Sequence, residues 1–253
     1  MRLGIISALH QEQTGLIDAI DGVSVVQRGM REYASGTLWG IDCVCVLSRI
    51  GKVAAAATTA ILIERFGVTH ILFTGVAGAA DDTVAVGDIV IADQLVQHDL
   101  DSSPLFPRFD IPLCGLSHLP TDLSLTNRIH QAAASWLQDG FVDAIEATDR
   151  TTFGLHSPRI HRGLIASGDE FIDSRARLAA LKKLLPDMLA IEMEGAAVAQ
   201  VCFECSVPFA VIRVISDDAS DTAPVDFLHF IDRVAARYAF HVIRKFCEIQ
   251  HPS

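Results

Sequence analysis

Four segments of the chain place acidic or glycine-rich stretches directly after apolar runs, where they could work on a small polar molecule. Glu12 follows Leu3–Leu9, and Thr74-Gly75-Val76-Ala77-Gly78-Ala79 ends a run that starts at His70. Glu192-Met193-Glu194-Gly195 closes Met188–Ile191, and Arg213-Val214-Ile215-Ser216-Asp217-Asp218-Ala219-Ser220-Asp221 extends Phe209–Ile212. A carboxylate accepting two hydroxyl hydrogen bonds is a natural clamp for a ribose diol, a task open to Glu192 and Glu194. An Asp beside a Ser at the end of a buried strand, as Asp217 stands beside Ser216, can be desolvated enough to raise its pKa and donate a proton. Gly and Ala in 74–79 let a ligand approach the backbone closely.

Taken singly, each cluster also has a plainer reading. Glu12 and Glu194 suit helix starts, where negative charge is favoured. Residues 74–79 suit a tight strand-to-loop turn, and Ser216 to Ser220 suit an N-cap before the last helix. The glycine spacing is not the G-x-G-x-x-G of dinucleotide sites. Together the four ends describe a site for a neutral polar ligand ringed by carboxylates rather than one for phosphate.

The elements that must position these residues follow from periodicity. Apolar β-type runs alternate with helical patterns, which predicts an α/β fold, a single domain over residues 1–253 with a central mixed twisted sheet flanked by helices. Strands are expected at Leu3–Leu9, Asp42–Ser48, His70–Thr74, Asp88–Ala92, Gly163–Ala166, Met188–Ile191 and Phe209–Ile215, with helices filling the gaps. The clearest helices start at Lys52, after Gly51, and span Thr121–Leu137, Ser174–Leu185, Glu194–Glu204 and Asp226–Cys247. Open α/β sheets bind ligands beyond the carboxyl ends of their strands, where the four clusters lie. One stretch breaks the rhythm: between Asp99 and Pro120, prolines 104, 107, 112 and 120 interrupt Leu105, Phe106, Phe109, Ile111 and Leu113. That proline density excludes a regular helix or central strand, and predicts a long ordered loop covering a site or a partner.

Composition narrows the function classes. Of 253 residues, 20 are Lys or Arg against 31 Asp or Glu, a formal charge of −11, and no basic run exceeds Lys182-Lys183, which argues against a nucleic-acid partner. Half the residues are apolar and 20% charged, enough for a large core. The longest apolar run, Val53–Ile63, is too short for a bilayer span, and Leu3–Leu9 runs straight into His10-Gln11-Glu12 without a cleavage site, so no membrane segment or leader is expected. Six cysteines do not make a disulfide scaffold in a chain of this size, and a cytoplasmic setting is expected. Cys202-x-x-Cys205 has no second such pair or nearby His pair to complete a zinc set, and reads as packed thiols.

Gly4-Ile5-Ile6 with Glu12, Ile50-Gly51-Lys52-Val53, Thr74-Gly75-Val76-Ala77-Gly78, Val86-Gly87-Asp88-Ile89-Val90, Ser167-Gly168-Asp169-Glu170-Phe171-Ile172, Glu192-Met193-Glu194-Gly195 and Arg213-Val214-Ile215-Ser216-Asp217 occur in that order. In this series the chain resembles the bacterial 5′-methylthioadenosine/S-adenosylhomocysteine nucleosidases of the purine nucleoside phosphorylase-like superfamily. The resemblance, from residue 3 to about 245, implies irreversible hydrolysis of an N-glycosidic bond without metal or organic cofactor. It implies that Asp217, supported by Ser216, protonates adenine N7; that Glu12 activates the attacking water; and that Arg213 orders this part of the site. Glu194 would bind ribose hydroxyls, Met193 would pack on the sugar, Phe171 would stack on the purine, and the backbone of Ile172 would read its Watson–Crick edge. Ile50, Val76, Ala77, Gly78 and Glu192 complete the implied substrate-binding set. The loop at 99–120 falls where the family reaches into a neighbouring subunit's 5′-alkylthio pocket, which implies a homodimer with Leu105, Phe106 and Phe109 as pocket or interface residues.

This chain departs from the pattern in having Val76 where many members have Ser, in a longer proline-rich loop, and in an expanded Gln138–His161. Methylthioadenosine and adenosylhomocysteine are the implied substrates, with 5′-deoxyadenosine and 6-amino-6-deoxyfutalosine left open. Two other readings share the scaffold: a purine nucleoside phosphorylase, which needs converging cations or backbone donors for phosphate, and a non-catalytic nucleoside-binding module.

Overall fold

Strand β1 (Arg2–Ser7) sends alternate side chains into two different cores, Leu3 and Ile5 to one and Ile6 to the other. That two-residue alternation, with both faces apolar, is the mark of a strand buried between helical layers. The computed structural model describes residues 1–219 and 223–250; Ser220 and Asp221 of the fourth cluster lie outside the described residues.

After a 3₁₀ turn at His10–Gln13 come β2 (Ile20–Arg28), β3 (Arg31–Leu38) and β4 (Ile41–Leu47), then helix α1 (Lys52–Phe66) and β5 (His70–Ala79). Strands β6 (Ile89–Gln97) and β7 (His118–Pro120) flank the proline-rich loop, and α2 (Leu123–Asp139) and two short helices, α3 (Phe141–Ala144) and α4 (Ala147–Thr152), lead to β8 (Ile160–Ser167). The chain ends with α5 (Arg175–Leu184), β9 (Met188–Glu192), α6 (Gly195–Glu204), β10 (Phe209–Asp217), α7 (Ala223–Phe230), a π turn at Ile231–Ala235 and α8 (Ala236–Gln250).

The strands join into one mixed sheet that closes partly on itself. β10 pairs with both β5 and β6, and the path β6-β8-β9-β5 completes a ring, from which β1, β4, β3 and β2 extend. Helices α2 and α8 cover one face, where Trp136, Tyr238 and Phe246 pack on Ile5, Ile212 and Val214. Helices α1 and α6 cover the other, where Ala55, Leu62, Ala196 and Val198 pack on Ile6, Phe73 and Val211. Small residues in α1 allow close packing, and Gly67, in the left-handed conformation, ends the helix, its amide donating to the Ile63 carbonyl and that of Val68 to the Leu62 carbonyl.

Three sequence expectations are corrected. The gap between the first two expected strands holds the β2–β3 hairpin rather than a helix, closed at Gly29-Met30, both with positive φ. β2 is an edge strand and mostly exposed, so its sequence lacks the buried-strand signal. Residues 74–79 are not a turn but a continuation of β5, which pairs with β10 and then β9. The last helix starts earlier, at Ala223, and the π turn divides it. Among the described residues no helix is long and apolar enough to cross a membrane.

Candidate active site

The site begins at a gap in hydrogen bonding along β5. One edge of this strand pairs with β1 as far as Phe73 and with β9 from Gly78 onward, which leaves the stretch between without a strand partner on that side. The amide of Val76 is spent on a side chain, donating to Glu12 Oε1 at 3.1 Å. The other Glu12 oxygen accepts from the amides of Ala8 and Leu9 at 2.8 and 2.9 Å, so the 3₁₀ turn folds the carboxylate back onto its own chain. Burial pushes the Glu12 carboxyl above the usual carboxylate range, opposed by the Leu9 amide, the Arg213 charge and the Ala8 and Val76 amides. Because the bond from residue 76 comes from the backbone, Val in place of Ser leaves it intact.

Arg213 is wholly enclosed. Its Nη2 is 2.7 Å from Glu192 Oε2, and its guanidinium carbon stands 3.9 Å from the centre of the Phe73 ring, a cation–π stack. Gly75 makes room between the Glu12 carboxyl and the Arg213 guanidinium: a Cβ there would come within 2.8 Å of Glu12 Oε1 and 3.2 Å of Arg213 Nη1.

Glu192 spends its oxygens on the protein itself. Besides Arg213, they accept from the Ser167 hydroxyl and from the amides of Glu194 and Gly195, the latter at 2.8 and 2.9 Å. The arrangement therefore makes Glu192 a pin between β8, β9, α6 and Arg213. Glu194, two residues on, has Oε1 bound to the Gly51 amide at 2.8 Å. Its carboxyl is pushed up to about 8, by burial first and then by the charge of Glu192, against the Gly51 bond and Arg213.

Asp217 ends β10 beside a register irregularity with β5. Its Oδ1 accepts from the Ala219 amide at 2.9 Å, and Ser216 Oγ lies 2.7 Å from its Oδ2 and 3.3 Å from the Ala77 carbonyl. A hydroxyl so placed can donate to the carboxylate, or turn to the carbonyl and accept from the protonated acid.

Glu12, Glu194 and Asp217 face one cleft, which Ile50, Val76, Ala77, Gly78, Phe171, Ile172, Glu192 and Met193 also line. A mostly apolar lining with a few convergent carboxylates suits a ligand that pairs an apolar ring with hydroxyl groups. Arg213 and Ser216 stand behind it, each in contact with a carboxylate that lines it. Ala8, Leu9, Glu170, Ile191 and Phe227 line the cleft as well and were not among the sequence candidates. Phe227 comes from α7 and meets Phe171 edge-on, ring centres 5.6 Å apart; an apolar residue on a helix carries no local sign of such a role. Leu105, Phe106 and Phe109 do not line the cleft of their own chain. Leu105 is 84% exposed, while Phe109 packs on the small core containing Ile172. Cys202 is buried and Cys205 exposed, so the two thiols occupy different environments.

A family model described as the phosphorylase superfamily matches residues 2–248. A 5′-methylthioadenosine/S-adenosylhomocysteine nucleosidase of Shewanella frigidimarina is 38% identical over 245 residues, covering 96% of this chain and 97% of the relative. Among solved structures, the nucleosidase of that name from Neisseria meningitidis, in complex with methylthio-immucillin-A, superposes with a TM-score of 0.86 at 30% identity, covering 98% of this chain and 99% of the other. A futalosine hydrolase of Helicobacter pylori superposes at 0.82 with 31% identity, covering 97% of each chain.

Proposed function

We infer the activity from one premise: the chain belongs to the phosphorylase superfamily and, within it, to the 5′-methylthioadenosine/S-adenosylhomocysteine nucleosidases. It is an N-glycosidic hydrolase that cleaves 5′-methylthioadenosine and S-adenosylhomocysteine to adenine and a 5-thio-substituted ribose. The observation that carries hydrolysis over phosphorolysis is Glu12, a buried carboxylate held by three backbone amides beside the cleft. Those amides would otherwise be free to hold an anion; here a carboxylate takes them, and its charge repels phosphate.

In this reading the bond from C1′ to N9 breaks with its electron pair going to adenine, and Asp217 delivers a proton to N7 so that the base leaves neutral. Ser216 serves the acid in both protonation states. Glu12 takes a proton from the water that forms the new bond to C1′, and Arg213, clamped by Glu192, faces that carboxylate across Gly75. The developing positive charge on the sugar is favoured by the surrounding carboxylates. Glu194 receives the ribose hydroxyls with Met193 against the sugar, while Phe171, Phe227 and the Ile172 backbone hold the purine; Ile50, Ala77 and Gly78 close the walls.

Adenine release from methylthioadenosine in phosphate-free buffer tests the reading, and strict phosphate dependence would overturn it. Running 5′-deoxyadenosine and 6-amino-6-deoxyfutalosine in the same assay orders the 5′ preference. We further assign the chain to the cytoplasm, which its free cysteines support, and to a homodimer, which the exposed Ile50 at the cleft and Leu105 in the proline-rich loop support. A monomer mass by light scattering would remove the dimer.

A further inference from the structure

The segment between β8 and α5 carries Phe171 and Ile172, and has no helix or strand of its own between Gly168 and Ser174. Beyond Phe171, the buried Ile172 anchors it in a small core. Before Phe171, it is tied by a closed ring of hydrogen bonds among three residues from three parts of the fold. Lys52 Nζ donates to Asp99 Oδ1 at 2.6 Å, the Asp169 amide donates to Asp99 Oδ2 at 2.9 Å, and the Lys52 amide donates to Asp169 Oδ1 at 2.8 Å. Gln97 Oε1 takes a further bond from Lys52 Nζ at 3.0 Å.

The ring is partly shielded, with the Lys52 and Asp99 side chains 16% and 27% exposed. Burial alone would raise the Asp99 carboxyl, yet the bonds from Lys52 and the Asp169 amide hold it below the usual carboxylate range. It is therefore an anion in a charge-assisted network, the stronger class of hydrogen bond. The ring also adjoins the sugar side of the cleft. Gly51, immediately before Lys52, gives its amide to Glu194, so consecutive amides at the start of α1 hold one carboxylate of the sugar site and one of the loop. Its φ of +98° suits glycine, and a Cβ at this position would stand 3.1 Å from Asp169 Oδ1. On the other side of the loop's start, the buried His98 ring fills the space at Gly168, where a Cβ would come within 2.3 Å of it.

We propose that Asp99, Lys52 and Asp169 form a clasp that sets the position of Phe171, making Asp99 a positioning residue for the purine although it does not line the cleft. The proposal rests on the reading of Phe171 and Ile172 as purine contacts. The Gly168 amide ties the start of the loop to the Glu192 carbonyl at 3.1 Å, before Phe171 is reached, and the Glu170–Arg177 ion pair at 2.6 Å is exposed and so weaker. Loss of the clasp therefore acts on base binding more than on the chemical step, because Glu12, Glu194 and Asp217 are held by other partners.

The test compares Asp99→Asn and Lys52→Met with Phe171→Ala, measuring kcat and KM for methylthioadenosine and the inhibition constant of adenine. Both clasp variants are expected to raise KM and the adenine constant together by roughly tenfold, the scale of one charge-assisted hydrogen bond. Their kcat should stay within about twofold of the parent, as expected for lost binding that is uniform between ground and transition state. The double variant should be little worse than either single one, since all three residues share a ring. If Phe171→Ala weakens adenine while both clasp variants bind it normally, the clasp is wrong and the base site stands. If Phe171→Ala leaves adenine binding unchanged, the base-site reading falls and the clasp with it. Lys52→Met leaves the Asp99 carboxylate in place, so it still reports should Asp99→Asn not fold.

Discussion

Glu192 and Arg213 form an ion pair at 2.7 Å in which each side chain is almost wholly shielded from water. Removing one partner of such a pair leaves a buried charge uncompensated, a cost of about 3–5 kcal/mol. Glu192→Ala should therefore lower the thermal midpoint by roughly 10 °C, given about 2–4 °C per kcal/mol for a chain of this size. Glu192→Gln, which keeps the shape and can still accept from the Gly195 amide, should cost less. Differential scanning calorimetry of both variants checks this, and equal midpoints would show that the pair does not hold the site together.

For Asp217→Asn, the side chain keeps its size and an oxygen for the Ala219 amide but has no proton to give to N7. Turnover should fall by about 10²–10⁴, the range of general acid catalysis, with adenine affinity nearly unchanged. Ser216→Ala should fall between this variant and the parent, because Asp217 keeps its Ala219 bond. Adenine release at the parent rate from the Asn variant would remove Asp217 from the mechanism.

A methyl group at residue 75 would enter the space between the Glu12 carboxyl and Arg213, 2.8 Å from Glu12 Oε1. Gly75→Ala should reduce kcat by roughly 10², the scale of a misplacement near 1 Å, with a smaller change in KM. Steady-state kinetics at saturating substrate distinguish this from a general loss of folded protein, which circular dichroism would reveal.

The Glu194 carboxyl is pushed up to about 8 in the folded chain from an ordinary 4.5. Between those values the folded state holds a proton that the unfolded chain has released, so this group's contribution to stability declines as pH rises from 4.5 to 8 and is level above that. Glu194→Gln never carries the buried charge and can keep the Gly51 bond. It should be more stable than the parent at pH ~8.5, by on the order of 5 kcal/mol at most, with the gap closing toward pH ~5. Urea midpoints at the two pH values measure the gap; a gap that does not change with pH would contradict the raised pKa. Activity of this variant at pH ~8.5, where Glu194 of the parent is ionised, should nevertheless be low, because an amide offers one acceptor oxygen to a ribose diol where the carboxylate offers two.

Much of the fold was legible in local pattern. Continuous apolar runs marked the central strands β1, β4, β5, β6, β8, β9 and β10, because strands buried on both faces need no polar alternation. The Ala-rich segment after Gly51 marked α1, and the carboxylates that now face the cleft all stood just beyond such runs. Hairpin β2–β3 was not legible, because an exposed edge strand carries little of the burial pattern that identifies strands. Nor did local pattern separate Glu192 from Glu194: both lie at one strand end, yet one is consumed by Arg213, Ser167 and backbone amides while the other accepts from the Gly51 amide and faces the cleft.

The sequence by itself thus determined which segments are strands and which side chains with useful chemistry stand at their ends. Only the tertiary structure decided that all four of those ends meet. β10 joins β5 to β6, β9 returns to β5 at Gly78, and the interval left on the β5 edge receives Glu12 through the Val76 amide. Strand pairing between residues far apart in the chain leaves no mark in local periodicity, and the partners of a buried carboxylate are chosen by that pairing.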